Sequence, residues 1–281
     1  MSQTDLTWAV PVMRAGYAGR GLTYLAVAGF SLYAIWWGRE AEGTQSALAR
    51  LETSPGGTLV LFLIFIGLFA YAVWRLVASF YDLECRGTGL KGIAARLAMV
   101  VTGLIHLALG VFAFSLLFLG SGGSGDGSTT RQIVRWIFGV PGGRYVVMAV
   151  GAVIAIAGVY YAYKGWSGKY REHLRANPAT LRFNFVLQAG LIAQGIVICI
   201  VGFLFFHAGW TFDPNEAGGT KEAFSWLTRQ SYGRVLVGAI CVGLLGFAVF
   251  CFVNARYRIV PRVTGDDVET MAAKLRAMAG N

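Results

Sequence analysis

The sequence predicts an all-α polytopic membrane protein: six transmembrane helices arranged as three tandem two-helix repeats, each with an amphipathic helix at the outer membrane surface. The first observation is composition, because 56% of the 281 residues are hydrophobic and only 14% are charged, whereas a soluble domain has about a quarter charged residues. The second is the presence of six long apolar runs. The third is a pattern that recurs at spacings of 86 and 90 residues, which indicates an internal repeat.

Each of the six apolar runs is long enough to cross a bilayer, which takes roughly 20 residues in a helix. The first run follows Arg14, as the apolar part of a signal peptide follows a basic residue. It is long, rich in aromatic residues and part of the repeat, so we interpret it as a retained span. The runs cover residues 15–37, 59–80, 93–119, 145–163, 185–207 and 235–253.

The repeated pattern is a short helix that ends at a Pro or Gly just before an apolar run. In the first copy Thr44 is a suitable N-cap, and Pro55 with two glycines interrupts the helix eleven residues later. Apolar residues recur in register between cap and interruption, so we expect each short helix to lie flat with its apolar face in the headgroup–acyl boundary. The matching residues are Thr44, Leu48, Leu51 and Pro55; Thr130, Val134, Ile137 and Pro141; and Thr220, Phe224, Leu227 and Ser231.

We expect one membrane domain over residues 1–281, without separable units. Its repeats cover about 13–84, 93–170 and 182–258, and a polar tail follows at 259–281.

The charge distribution predicts which side of the membrane each end occupies. The net charge is +10, and 16 of the 24 Lys and Arg fall in the N-terminus, the second and fourth loops and the C-terminus. A bias of this kind places both termini in the cytoplasm. In a membrane context the positive charge favours anionic lipid headgroups as partners and argues against nucleic acid.

Polar side chains within the apolar runs form a candidate intramembrane site: Arg20, Tyr24, His106, Gln188 and Gln194. Such residues are costly in hydrocarbon and often functional there. We expect Arg20 to snorkel to lipid phosphates in preference to pairing inside the protein, and His106 to be a hydrogen-bonded packing residue. Glutamines in spans typically bond a neighbouring helix, and a substrate-facing role is the alternative.

The sequence gives little support for catalysis or for a cofactor. No Asp or Glu lies at mid-span, which argues against a carboxylate proton relay. His106 has no second His at its depth, so a bis-His haem is not expected. The four Cys show no metal-ligand spacing, and the chain contains no catalytic fingerprint that we recognise. We therefore predict no catalytic residue, no metal and no cofactor.

The interruptions before the apolar runs are a second candidate site. Arg144 follows Gly143 and Arg234 follows Gly233, so an arginine accompanies a helix N-terminus at two of the three corners. This combination favours anions. The alternative is that glycine permits the corner while each arginine contacts lipid headgroups.

Four short motifs resemble those of a bacterial membrane family known as domain of unknown function 1206. They are Arg14-x-Gly-Tyr-x-x-Arg-Gly21, Leu51-x-x-x-Pro55-Gly-Gly, Tyr71-Ala-x-Trp74-Arg75 and Ala255-Arg256-Tyr257-Arg258. The third repeat departs from the pattern, because Ser231 replaces the proline and its first span opens differently. The resemblance implies six helices in a bacterial inner membrane and supplies no activity.

The function that the sequence favours is non-catalytic. We expect an integral membrane protein that packs against a membrane partner complex, or forms a homo-oligomer, and binds lipid headgroups. The alternative is a transporter or channel for an anion or small solute, with its centre on a pseudo-three-fold axis.

Overall fold

The computed structural model describes residues 6–119, 128–264 and 269–279, and this part of the chain is almost entirely helical. Two short 3-10 turns, at Lys169–His173 and Pro214–Glu216, interrupt the loops. The long helices are α1 (Ala9–Trp36), α3 (Gly57–Phe80), α4 (Leu90–Leu119), α6 (Gly143–Trp166), α8 (Asn184–Thr211) and α10 (Gly233–Tyr257). The short helices are α2 (Thr44–Glu52), α5 (Ser128–Phe138), α7 (Pro178–Arg182), α9 (Thr220–Thr228), α11 (Pro261–Thr264) and α12 (Met271–Ala279).

Five of the long helices are apolar and long enough to cross a bilayer: α3, α4, α6, α8 and α10. The shortest of them has 24 residues, which at 1.5 Å per residue makes about 36 Å. The sixth predicted span corresponds to α1, which has 28 residues and carries Arg14 and Arg20. The described residues thus support a multi-pass membrane protein with five candidate spans.

The six long helices pack in the order α4, α3, α1, α10, α8, α6. The second helix of each repeat contacts the first helix of the next, as the three-fold repeat requires, through the pairs α3–α4, α6–α8 and α10–α1. Within the repeats, α1 packs on α3 and α8 on α10, but α4 and α6 make at most a marginal contact. The bundle is therefore an arc that is open between α4 and α6.

Glycines allow the closest approaches in this arc. A Cβ built on Gly19 of α1 would lie 2.5 Å from the Cα atom of Gly67 on α3. On the other side of the bundle, a Cβ on Gly158 of α6 would lie 2.5 Å from the backbone nitrogen of Cys199 on α8. Real side chains do not tolerate such distances, so these helices meet backbone to backbone, as small residues permit in membranes.

The two ends of the bundle differ. We call the end that holds the start of α1, the α3–α4 loop and α12 the terminal end, and the end that holds α2, α5 and α9 the corner end. At the terminal end Arg175 pairs with Thr270 in an isolated β-bridge, so the segment before α12 is fixed against the loop after α6. Of the predicted tail, residues 265–268 and 280–281 lie outside the described part of the chain.

We predicted that the short helices at the corner end present their apolar faces to lipid. The structure shows instead that these faces pack against the bundle. Leu48 is fully buried, and it clusters with Ile64 of α3 and Leu116 of α4. Val134 and Phe224, the matching residues of the other two repeats, are each 1% exposed. The prediction was wrong because the long helices have apolar side chains at this end, and each short helix covers some of them.

The predicted N-cap is also one residue out of place. Thr44 is the first residue of α2, and Gly43 precedes it as the cap. The Gly43 amide donates to the Ser46 hydroxyl at 2.9 Å, which satisfies a donor that the helix itself leaves free. Beyond the short helices, Gly56 and Gly142 turn the chain with φ of 71° and 80°, and Tyr232 adopts φ 61° at the matching position.

Candidate functional site

A buried arginine lies at the centre of the terminal half of the bundle. Arg20 is only 5% exposed, and its Nη1 donates to the hydroxyl of Tyr71 at 3.0 Å. Its guanidinium carbon lies 5.0 Å from the ring centre of Phe247, 5.2 Å from that of Tyr71 and 5.7 Å from that of Tyr24. We predicted that Arg20 snorkels to the surface, and this was wrong: three aromatic rings and a hydroxyl hold its guanidinium inside the bundle.

A second arginine shares the Tyr71 ring. The guanidinium carbon of Arg75 lies 5.6 Å from the ring centre, so Tyr71 keeps the two guanidiniums within about 11 Å of each other. No ion pair or hydrogen bond joins the Arg75 guanidinium to another described residue, and its Nε is buried without a partner. Tyr161 of α6 faces both arginines and interacts with them electrostatically.

The repeat itself brings these residues together. Arg75, Tyr161 and Cys251 are each the eighteenth residue after the glycine that begins α3, α6 or α10. Tyr161 and Cys251 both lie close enough to Arg20 to interact with it. We call Arg20, Arg75, Tyr24, Tyr71 and Tyr161 the arginine–tyrosine cluster.

Nearer the terminal end, one carboxylate bridges two further arginines. Glu84 Oε1 lies 2.5 Å from Nη2 of Arg258, and Oε2 lies 2.7 Å from Nη2 of Arg86. The side chains of Glu84 and Arg258 are 3% and 6% exposed. Burial would raise the pKa of Glu84, but Arg258, Arg75 and Arg86 hold it well below its usual range.

The charges in this region do not balance. Lys164 of α6 interacts electrostatically with Glu84 and with the arginines around it, and no ion pair of its own is found among the described residues. Four cations thus act on one carboxylate that already forms ion pairs with two of them; they are Arg75, Arg86, Lys164 and Arg258. Arg20 adds a fifth positive charge nearby, on the Tyr71 ring that Arg75 also contacts. Burial, reinforced by Arg258 and Lys164, lowers the pKa of the adjacent His173 to about 3, so this imidazole is neutral at pH 7 and adds no charge.

The remaining predicted polar residues extend the cluster deeper into the bundle. The amide of Gln194 donates to the Tyr24 hydroxyl at 2.8 Å. The ring of His106 lies 4.6 Å from that of Tyr71, and its Nδ1 is 2.7 Å from the backbone oxygen of Thr102. Four of the five predicted residues therefore meet around one centre, and Gln188 does not.

Gln188 lies nearer the terminal end of α8, where its amide approaches the backbone oxygen of Trp166 on α6 at 3.5 Å. That distance is at the limit of a hydrogen bond. Asn184, one turn earlier, accepts from the hydroxyl of Tyr170 at 2.6 Å and from Nε of Arg171 at 2.9 Å. Both amides thus join α8 to neighbouring structure rather than to the cluster.

The two corner arginines have different surroundings. Arg144 lines a cavity of about 390 Å³, together with Phe138, Pro141 and Phe212. Its Nη2 donates to the backbone oxygen of Trp210 at 3.0 Å, so part of the guanidinium holds α8. Arg234 is exposed. Neither residue lies near the arginine–tyrosine cluster, which is at the opposite end of the bundle.

The chemistry available at the cluster is that of binding. Guanidiniums, tyrosine hydroxyls and a lysine are donors, and arginine forks are suited to oxygen anions such as phosphate and carboxylate. Glu84, the carboxylate that faces them, is occupied by two ion pairs. A nucleophile activated by a neighbouring base is not found among the described residues of this centre.

Fold and site together define an integral membrane protein with a three-fold internal repeat and a cationic centre between its helices. A family model described as Domain of Unknown Function (DUF1206) matches residues 15–82, 97–168 and 189–258, and the chain belongs to this family. It is also similar to the "Uncharacterized protein YxxB" of Bacillus subtilis (strain 168), with 22% identity over 263 residues that cover 92% of this chain and 94% of the relative. No solved structure matches the chain.

Sequence reasoning missed Arg75, Glu84, Lys164 and Arg258 as members of one site. Arg75 and Lys164 occur at the ends of apolar runs and were counted only as cytoplasmic charges. A signal was present, since counting eighteen residues from each corner glycine aligns Arg75 with Tyr161. Aligning the similar segments Tyr71–Arg75 and Tyr160–Lys164 instead pairs Arg75 with Lys164. That alignment is shifted by three residues and hides the equivalence of Arg75 and Tyr161.

Proposed function

We propose that this protein is a non-catalytic membrane protein of six spans that binds the phosphate groups of anionic lipids. The excess of cations over carboxylates inside the terminal half of the bundle carries the proposal. Buried charges without partners cost several kcal/mol each, and a lipid headgroup supplies the missing negative charge without leaving the membrane. The basic loops at the same end favour the same partner.

Lipids that co-purify with the full-length protein test this proposal. Protein extracted in a neutral detergent is expected to retain anionic phospholipid at a higher ratio to zwitterionic lipid than the source membrane contains. Arg144→Gln and Arg234→Gln report any contribution of the two corner arginines, and Arg39→Gln is the matched control, since Arg39 is exposed in the loop after α1. Retained lipid in the same ratio as the bulk membrane would refute the proposed function.

The proposed orientation has six spans, with the terminal end in the cytoplasm of a bacterial inner membrane and the three short helices outside. Support for α1 as the sixth span comes from its packing between α3 and α10. Cys85 is exposed in the α3–α4 loop, and the other three cysteines are less accessible, so a membrane-impermeant thiol reagent should label it only from the cytoplasmic side. In a Cys85→Ser background, Thr53→Cys at the corner end should react only from outside; the reverse pattern would invert the topology.

Packing against a membrane partner, or against a second copy, is the second proposed function. The opening between α4 and α6 favours it, and α6 is the least buried candidate span, with 17% of its apolar window inside the protein. Val153 and Ile156 of α6 are 66% and 69% exposed. With the native cysteines replaced, Val153→Cys and Ile156→Cys should form crosslinks to a protein in the membrane, whereas products with lipid alone would count against docking.

A transporter or channel is not favoured. The side chains of Arg20, Tyr24, Tyr71 and Phe247 contact one another across the centre of the terminal half, where a conducting path would need open polar space. We expect planar bilayers containing the purified protein to show no unitary currents, and currents abolished by Gln194→Leu would revive this alternative.

A further inference from the structure

We propose that Arg20 and Arg75, reached through the opening between α4 and α6, form a site for one phosphate group. This inference rests on the proposed function and locates it. Two sources could supply the group: the headgroup of an anionic phospholipid, or a free phosphate or phosphate ester from solution. The chemistry of recognition is the same in both cases.

The first observation is an unsatisfied donor on a buried cation. The Arg20 side chain is buried, with only 5% of the residue exposed, and its Nε has no hydrogen-bond partner. The Nε of Arg75 is likewise buried and unpaired. Buried guanidinium donors are normally satisfied, and each such exception calls for an explanation, of which a bound anion is one.

The second observation is the shortage of counter-charge. Glu84 has both oxygens engaged, by Arg258 and Arg86. Its single negative charge also acts on Arg75, but one carboxylate cannot neutralise all of these cations. Aromatic rings stabilise a desolvated guanidinium, but by less than the cost of an unpaired charge in a membrane interior. An oxygen anion supplies the missing negative charge: one from a phosphodiester headgroup, and up to two from a free phosphate or a phosphate monoester.

The third observation is a route of entry. In the other two repeats the paired spans touch, as α1 touches α3 and α8 touches α10, but α4 and α6 do not close on each other. Arg75 lies beside α4, because a Cβ on Gly103 would be 3.2 Å from the Cβ atom of Arg75. Tyr161 and Lys164 belong to α6 and interact with the same group of charges. Arg75 of α3 therefore lies on the α4 side of the opening, and a hydroxyl and a second cation lie on the α6 side.

The geometry suits a phosphate better than a smaller anion. The Tyr71 ring contacts the guanidiniums of both Arg20 and Arg75. The hydroxyls of Tyr24 and Tyr161 are further donors around Arg20. A tetrahedral anion accepts from several directions at once, and bidentate arginine contacts give both affinity and orientation. Lys164 adds a point charge nearer the terminal end.

Thermal unfolding of the delipidated full-length protein tests the site. The two probes are inorganic phosphate and short-chain phosphatidylglycerol, with chloride at equal ionic strength as the blank. We expect at least one probe to raise the unfolding midpoint, and Arg20→Gln and Arg75→Gln each to weaken its apparent Kd about tenfold or more. Arg14→Gln is the matched control, since Arg14 lies on the same helix and is exposed, and it should stay within about twofold of the parent protein.

Two further readouts separate ligand binding from damage to the fold. Without ligand, Arg75→Gln should be at least as stable as the parent, because it removes a buried, unpaired charge. Arg75→Lys keeps the positive charge but loses the planar guanidinium that can bind an oxygen anion through two nitrogens. Its apparent Kd should therefore fall between those of the parent and of Arg75→Gln. If Arg20→Gln fails to fold, the two Arg75 variants, on a different helix, decide the question.

Each outcome has a defined meaning. Stabilisation by phosphatidylglycerol alone identifies the lipid headgroup as the source, and stabilisation by inorganic phosphate identifies a soluble one. No response of the parent protein to either probe, or equal responses of Arg14→Gln, Arg20→Gln and Arg75→Gln, would overturn the inference. If anionic lipid is retained but depends on Arg144 and Arg234 instead, the proposed function stands and this site is wrong.

Discussion

Removal of the Glu84 carboxylate is expected to change stability more than any other single charge substitution. Glu84→Gln leaves Arg258 buried, 6% exposed, without the counter-charge and with Lys164 near enough to repel it. At about 4 Å and an effective dielectric constant of about 20, one such pair is worth about 4 kcal/mol, and removing one partner of a buried pair typically costs about 3–5 kcal/mol. Arg86 is 29% exposed, so its pair adds less than about 1 kcal/mol.

Thermal unfolding of the full-length protein in detergent at pH 7, followed by tryptophan fluorescence, measures the effect. For a chain of this size 1 kcal/mol corresponds to roughly 2–4 °C, so Glu84→Gln should lower the midpoint by on the order of 10 °C. Glu172→Gln is the matched control, because Glu172 is exposed at the same end. A midpoint for Glu84→Gln equal to that of Glu172→Gln would refute the reasoning that the ion-pair bridge fastens the α3–α4 loop to α10.

The sign of the pH dependence follows from the same contacts. The pKa of Glu84 is held well below its usual range in the folded protein, so the unfolded chain binds its proton first as pH falls. The stabilisation is therefore fully present above the unfolded pKa of about 4.5 and is lost only as the pH drops through the lower folded value. Glu84→Gln should abolish this part of the acid sensitivity.

Two further predictions concern packing and a neutral histidine. Gly67→Ala should destabilise the protein by about 1–3 kcal/mol or more in the same assay, because its new methyl group would meet Gly19, whereas Gly29→Ala, with open space around it, should be close to neutral; equal midpoints would count against a backbone contact between α1 and α3. The pKa of His173 is lowered to about 3, so stability should fall by up to about 1.4 kcal/mol per pH unit as pH decreases from about 6.5 towards 5, where the unfolded imidazole is protonated and the folded one is not. His173→Gln should flatten the slope in that window, and an unchanged slope would show that another group is responsible.

The polar residues of the spans show what can be recognised from a sequence and what cannot. Arg20, Tyr24, His106 and Gln194 were recognised because polar side chains stand out within apolar runs, and the structure brings these four together. Their contacts were not predictable, since the snorkelling of Arg20 or its burial depends on which helix lies beside it. The neighbour that holds it, Tyr71, is 51 residues away in sequence.

The short helices at the corner end give the same lesson for apolar residues. Their helical spacing was visible in the sequence, and helices occur where predicted. Whether Leu48 faces lipid or protein depends on the space left between α3 and α4. Hydrophobic periodicity specifies a buried face but not what buries it, because lipid and protein interiors are almost equally apolar.

The sequence by itself determined the class of this protein. Its apolar runs, their lengths and the recurring corners specify a helical membrane protein with three repeats, because the absence of water in a bilayer leaves the backbone few alternatives to a helix. Only the tertiary structure decided that the arc stays open between α4 and α6, that Arg75 shares the Tyr71 ring with Arg20, and that Lys164 lies near Glu84. These features depend on side-chain contacts between helices far apart in the chain, and a repeat that is nearly symmetric in sequence does not reveal at which interface its symmetry is broken.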